Sequence, residues 1–421
     1  MWQALLYRGK LRYNKGHVLR HRLQLERQQD NMNQIRSPRD WRVELLRVIA
    51  CFMVIIIHIR LYAFSGTTLR NSALLMYVLS GPSVAIFFLI SGFFFRGTQS
   101  ILHIWKRFLT SVICPAMVLI MALSFLRPWI AQPEISLLQS IRMAHPLQDF
   151  LSMLRGFLCL DVVSFGSYAE HLWYILSYGT IMLWVPVIIA LLRAHEERIL
   201  LLLMCFAFLH FALDNLNGLY PLPIALYRPE CIGKPTMYAI AGCFLYRHVA
   251  RRRSALDRSA EARERHVCLL LTLLLSIALF VLQKHLYVKG LQMGQDIAAL
   301  NDSYYYTSWN GMLCGLQAIA LSAFILMLPE IPARATQMIR TLGSLTFPIY
   351  LIHFLFTNHF RALGIEQAAQ QLFGGSFVGI VLYTLCYAAL IFALCALMIL
   401  AWRQMKQRLL RRMRRNLSTG I

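Results

Sequence analysis

Apolar residues fall along this chain in long blocks that are almost free of charge, and short polar or basic intervals separate one block from the next. The blocks lack the period of two that a half-buried strand needs, and most are long enough as helices to cross a hydrocarbon core of about 30 Å. Ten stand out, at 43–64, 73–95, 108–126, 171–192, 199–213, 231–249, 267–285, 309–328, 342–359 and 377–402. The block at 199–213 is short, and the one at 231–249 carries Lys234 and several glycines. The pattern predicts an all-α, polytopic membrane protein with about ten transmembrane helices. An even number of crossings returns both termini to one side. The expected domains are a basic N-terminal arm at 1–41, a transmembrane domain at 42–402 and a basic tail at 403–421.

Composition agrees. Of the 421 residues 58% are hydrophobic and 14% charged, against about 25% charged in an ordinary soluble domain. Lys and Arg number 42 and Asp and Glu 19, a net charge of +23. Such an excess alone fits a nucleic-acid binder. Here it has a simpler cause, because with cytoplasmic termini about 31 Lys and Arg fall in inner segments and about 10 in outer ones, as the positive-inside rule requires. Arg251 to Arg253 and the tail from Arg403 supply much of the inner excess, which suits contact with anionic headgroups. No helix-turn-helix, zinc-finger or RNA-binding motif accompanies it, so nucleic acid is not an expected partner. Ten cysteines include no Cys-x-x-Cys pair, so neither a metal site nor a redox motif is indicated. Cys159 and Cys231 are the two placed near the outer face, where a bridge between them is conceivable.

The first forty residues are polar and basic without an apolar h-region, so they do not read as a cleavable signal peptide. Met32 stands shortly before the first apolar block. The arm is therefore either an over-extended reading frame or an amphipathic surface helix. The largest outer segment runs from 127 to 170, carries Trp129, Asp149 and Asp161, and is the expected place for substrate recognition.

Ionisable groups inside membrane spans are expensive to bury and default to function. The first block holds Arg47 and His58. Eleven residues at 100° each make three turns and about 20°, so the two share a helix face about 16 Å apart along the axis. Cys51 and Val54 lie between them and are smaller than the Phe, Met and Ile around the rest of the helix. A cation at the inner mouth, an imidazole past the midplane and a slim track between them suit a long, thin, anionic ligand. The alternative is structural: a lone Arg one turn inside a span snorkels to headgroups, and a lone His bonds a neighbouring helix. Co-facial placement weakens that alternative.

These residues resemble the membrane-bound acyltransferase-3 family, whose members show an Arg, ten residues and a His in the first span. Further segments fit in order: Phe87 to Phe93 with its Ser91-Gly92 is similar to the second-span signature, Lys106-Arg107 before Pro115 to the basic approach to the third, His171-Leu172-Trp173-Tyr174 to the start of the fourth, and Tyr350-Leu351-Ile352-His353 to a late-span pattern. The resemblance covers 42 to 402. The chain departs from the pattern at Thr110, where a further Arg is usual, and the short tail after Trp402 leaves no room for the external hydrolase-like domain of some members. Each segment also has a structural reading. Gly92 suits close helix packing, Trp173 and Tyr174 suit an interfacial aromatic belt, and Tyr350 and His353, at i and i+3, suit a contact that ties helices together.

The resemblance implies an enzyme of the bacterial inner membrane that moves an acyl group, most often acetyl, from cytoplasmic acyl-CoA to a sugar hydroxyl of a cell-surface glycan or its lipid-linked precursor. Acyl-CoA is then a donor substrate, and no cofactor or metal is permanently bound. On this reading Arg47 and His58 are catalytic, with Arg47, Ser91, Lys106 and Arg107 holding the donor. His58 serves as general base, since an imidazole of ordinary pKa about 6.5 accepts a proton at neutral pH and returns it to the leaving thiolate. His171, Trp173, Tyr350 and His353 are the acceptor-binding candidates. The rival from another class is a transporter or flippase of a lipid-linked sugar, in which Arg47 and His58 line a permeation route.

Overall fold

A computed structural model describes residues 40–59, 67–132, 134–159, 170–219, 232–254, 258–292, 305, 307–373 and 376–418. The chain divides into Met1–Trp41, of which only the last two residues are described, and Arg42–Ile421. The described residues of the second unit are helical, with no strand among them. In chain order they form α1 (Trp41–His58), α2 (Thr67–Ser80), α3 (Ser83–Gly92), α4 (Ile101–Phe108), α5 (Cys114–Ala131), α6 (Leu137–Met143), α7 (Pro146–Cys159), α8 (Trp173–Arg193), α9 (Glu197–Leu219), α10 (Lys234–Ser254), α11 (Arg258–Gln292), α12 (Met312–Leu326), α13 (Ala333–Gly343), α14 (Thr346–Ala362), α15 (Ile365–Phe373) and α16 (Phe377–Ser418). An all-helical chain is what a bilayer demands of a span, because each backbone amide must be satisfied within its own segment.

Six helical stretches are long and apolar enough to cross a membrane, and seven if α13 and α14, bent by 57° at Ser344-Leu345, count as one. The protein is an integral membrane protein. Three other expected blocks are also helical where described but differ in kind: α1 carries Arg42, Glu44 and Arg47 in its first two turns, α10 ends in Arg251-Arg252-Arg253, and α12 has 15 residues. The segment expected as the large outer loop is itself built from the end of α5, α6 and α7, and the last helix continues through the basic residues of the tail to Ser418.

The exposed faces are those a lipid phase covers. Leu201, Leu202, Phe206 and Leu209 on α9, and Val267, Leu270, Leu274, Ile277 and Val281 on α11, are open rows of large apolar side chains. The interior is made by close helix crossings. A methyl group on Gly92 of α3 would drive into the Ala239 carbonyl of α10, and one on Gly242 of α10 into the Leu89 carbonyl of α3. Two glycines facing opposite backbones bring those helices together, the use of small residues expected where burial from water drives nothing.

α1 is the element on which three apolar clusters meet. Leu46 and Ala50 join the cluster of α3, α8 and α10. Cys51, Ile55 and Ile56 pack with Ala388, Ile391 and Cys395 of α16. Val54 packs with Ala116 and Ile120 of α5, Leu172, Ile175, and Tyr350 and Leu351 of α14. Because α1 is held on all sides, the ends of its polar face are fixed points. Between α4 and α5 the chain widens into one π-helical turn, Leu109–Ile113, where Cys114 N–H reaches the Leu109 carbonyl. Pro115 follows at once. It has no N–H for the Ser111 carbonyl, and its ring would collide with that carbonyl in a regular helix, so the wider turn relieves the clash.

Candidate active site

At the C-terminal end of α1 three imidazoles from three elements come together. His58 is the last residue of α1, His171 lies in the 3-10 turn Glu170–Leu172 that leads into α8, and His353 lies in α14. Ring centroids are 5.2 Å apart for His58 and His353, 6.4 Å for His58 and His171, and 5.3 Å for His171 and His353. Phe354 fills the remaining side, 5.1 Å from the His58 ring and stacked on His171 at 4.8 Å.

Hydrogen bonding fixes two of the three rings. A ring nitrogen facing a carbonyl must carry the proton, since a carbonyl only accepts. His353 Nδ1–H therefore donates to the Tyr350 carbonyl at 2.7 Å, and His171 Nε2–H to the Leu351 carbonyl at 3.2 Å. The Tyr350 hydroxyl in turn donates to the His171 carbonyl. The other nitrogens, His353 Nε2 and His171 Nδ1, are buried without a partner and keep a lone pair in the neutral ring. His58 is different. As a residue it keeps some accessible surface, unlike His171 and His353, and its side chain makes no hydrogen bond among the described residues. Among the described residues no three His, Cys, Asp or Glu side chains are arranged to hold a metal ion.

Three turns away, Arg47 Nη1 donates to Glu44 Oε1 at 2.8 Å. Glu44 is 2% exposed and Arg47 26%. Gly343, at the bend between α13 and α14, makes room for this pair, since a side chain there would overlap the Glu44 carboxylate. The Arg47 guanidinium lies 5.5 Å from the centre of the Phe94 ring. Phe87 and Phe88 of α3, one turn before Ser91, meet the Tyr174 ring of α8 at 5.9 and 4.8 Å, and Phe108, which follows Arg107, meets Tyr178 at 5.4 Å. The ends of α3 and α4 thus lie against the Tyr174 and Tyr178 edge of α8. Lys106 and Arg107, in the last turn of α4, are both exposed, and among the described residues neither side chain makes a hydrogen bond or ion pair.

A family model described as an acyltransferase domain matches residues 40–400. The chain belongs to the acyltransferase-3 family. No curated protein and no solved structure gave a match. Family membership supports acyltransferase activity in general.

Within this family member several expected positions are resolved by geometry. Cys51 and Val54, expected to floor a slim track, are 1% and 3% exposed; Cys51 Sγ points at the Thr346 carbonyl at 3.5 Å and Val54 sits inside the third cluster. Small side chains let neighbouring helices close in rather than leaving a gap. Gly92 is a helix-crossing point, as its structural reading holds. Of the four acceptor-side candidates, His171, Tyr350 and His353 form one group with His58, whereas Trp173 turns to Trp309 and stacks on it at 5.0 Å. Cys231 lies outside the described residues, as does the side chain of Cys159. Sequence reasoning passed over Glu44, Tyr178, Phe354 and Arg361. Two had a signal: Glu44 is three residues before Arg47, and Arg361 is eleven after Tyr350 and so on its face.

Proposed function

We propose that this protein transfers an acyl group, most often acetyl, from cytoplasmic acyl-CoA to a sugar hydroxyl of a cell-surface glycan or its lipid-linked precursor, at the bacterial inner membrane. The observation that carries the reading is the pairing on one rigid helix of an anchored guanidinium at one end and a partly exposed histidine at the other. Arg47, helped by Arg107, takes the phosphates of the donor at the end that the charge distribution assigns to the cytoplasm. The thioester carbonyl comes to rest near His58. The acceptor oxygen attacks the carbonyl carbon, the C–O bond forms and the C–S bond breaks. The hydroxyl proton passes to His58 and then to the thiolate sulfur, so CoA leaves as the free thiol.

In this reading the unpartnered nitrogens, His171 Nδ1 and His353 Nε2, accept from the N–H of His58 or the O–H of the incoming acceptor. This reading uses them to orient the base rather than to bind sugar directly.

The test uses purified protein in detergent with acyl-CoA and a sugar acceptor. Release of CoA thiol that depends on His58, together with loss of O-acyl groups from surface glycan in cells lacking the gene, is the expected result. A transporter gives no turnover of acyl-CoA, and that result overturns the proposal.

A further inference from the structure

We infer that Tyr174, Tyr178 and Ser91 form the subsite for the pantetheine arm of the donor, an inference that rests on acyl-CoA being the substrate as proposed above. The arm must run from the guanidinium end of α1 to His58, about 16 Å along the axis. The direct path over Cys51 and Val54 is closed by packing. Beside it, α8 offers another. Tyr174 and Tyr178 are spaced i and i+4, so they lie on one face about 6 Å apart along the axis, just after the 3-10 turn that holds His171. Tyr178 stacks on Tyr174 at 6.2 Å, Tyr174 meets Tyr350 edge-on at 5.6 Å, and Tyr350 lies 6.0 Å from His353. These rings form a continuous file from Tyr178, where the end of α4 packs on α8 through Phe108, to the imidazoles.

Exposure separates the Tyr174 and Tyr178 part of this file from ordinary core, whereas Tyr350 and His353 at its far end are buried. Ile175 and Leu176, next to Tyr174 in sequence, are buried, as are Phe88 and Leu89 on α3. Tyr174, Tyr178, Ser91 and Phe87 keep accessible surface in the midst of them. Their chemistry suits the arm, a flexible chain of methylene groups interrupted by two amides. Flat ring faces pack against methylenes, and hydroxyls exchange hydrogen bonds with amides. Ser91 Oγ–H already donates to the Phe87 carbonyl at 2.9 Å, which leaves its lone pairs to accept from an amide N–H. The phosphates end at the Tyr178 end of the file, where Phe108, next to Arg107 in the chain, meets the Tyr178 ring at 5.4 Å.

The experiment is protection of a Ser91→Cys variant from a small, charged methanethiosulfonate reagent in detergent, with the wild type treated in parallel for its native cysteines. The variant should react, CoA should slow the reaction at least ~5-fold, and adenosine 3′,5′-bisphosphate, which has the nucleotide phosphates without the arm, should leave it nearly unchanged. Tyr178→Phe and Tyr174→Phe, each lacking one hydroxyl, should raise the KM for acyl-CoA roughly 5-fold, the usual weight of one hydrogen bond. If Ser91→Cys fails to react without ligand, or reacts equally fast with CoA present, or if both tyrosine variants keep the wild-type KM, the arm runs elsewhere. Absence of acyl-CoA turnover by the wild type is a separate outcome and removes the donor assignment itself.

Discussion

The guanidinium of Arg361 donates through Nη2 to the carbonyl oxygen of His58 at 3.4 Å, tying the last residue of α1 to the last turn of α14, 303 positions later in the chain. Arg361 is itself braced, by Nη1 to Asn358 Oδ1 at 2.8 Å and by Nε facing Glu366 Oε2 at 3.5 Å. The final carbonyls of a helix have no partner within it and carry partial negative charge, so a cation there satisfies one and favours the helix end. A braced Arg361 therefore holds the backbone from which the His58 ring projects.

Arg361→Gln should lower kcat roughly tenfold at nearly constant acyl-CoA KM, because one hydrogen bond to a charged group contributes about 1.5–3 kcal/mol and part of it positions the base. Arg361→Lys should recover part of the loss by keeping the charge. Steady-state kinetics decide the point, since a raised KM at unchanged kcat makes Arg361 a substrate contact instead.

The three imidazoles should separate by stability. His58 makes no side-chain hydrogen bond and is partly exposed, so His58→Ala should leave the melting temperature in detergent close to the wild type while turnover falls about 10²- to 10⁴-fold. His353 is fully buried among His58, His171 and Phe354. Truncating a buried side chain leaves a cavity and costs about 2–5 kcal/mol, so His353→Ala should lower the melting temperature as well as turnover. Paired thermal and activity measurements check both.

Much of this architecture was legible from hydrophobic pattern alone. Helices stand at the apolar blocks wherever those are described, and six or seven of them are long and apolar enough to cross lipid, where a backbone can satisfy itself only within its own helix. The eleven-residue step from Arg47 to His58 is likewise plain in sequence, since both sit on one helix. What one helix cannot disclose is its partners. That Trp173 would face Trp309 while His171, two residues earlier, faced His58 and His353 depends on the 3-10 turn between the outer segment and α8. Cys51 and Val54 misled for the same reason: small size in sequence signals either a gap or a close approach, and only the neighbouring helices decide which.

Gly92 and Gly242 each face a backbone carbonyl across the contact between α3 and α10. Gly242→Val should push the helices apart, at a cost of about 1–3 kcal/mol or more, and reduce both the amount of folded protein and its melting temperature. Size-exclusion yield and thermal unfolding of detergent-solubilised protein measure this. An unperturbed Gly242→Val variant is incompatible with the crossing described.

The uneven distribution of Lys and Arg predicts cytoplasmic termini and an external α6 and α7. A cysteine introduced at Gln148 should be labelled by an impermeant reagent applied to intact cells, and one at Gln407 should react only after permeabilisation. The opposite pattern reverses the orientation and moves Arg47 to the wrong side for a cytoplasmic donor.

Arg47 and Glu44 give the sharpest separation of structure from chemistry. Arg47 presents several N–H groups in a rigid fork, so it holds Glu44 with one nitrogen and has others left for a phosphate. Lysine has a single nitrogen and cannot take both positions at once, so Arg47→Lys should keep the protein folded and raise the acyl-CoA KM about tenfold. Arg47→Ala should lower the amount of protein in the membrane as well, because it removes a cation from a carboxylate that is 2% exposed. In the double variant Glu44→Gln/Arg47→Gln the charged pair is replaced by neutral groups of similar size, and the burden of a buried carboxylate disappears. Its abundance should return towards wild type while transfer stays low, since nothing positive remains to hold the donor. Quantitative membrane blots and CoA-release assays on the four proteins distinguish the roles: recovery of transfer along with abundance in the double variant would make Arg47 a purely structural partner of Glu44.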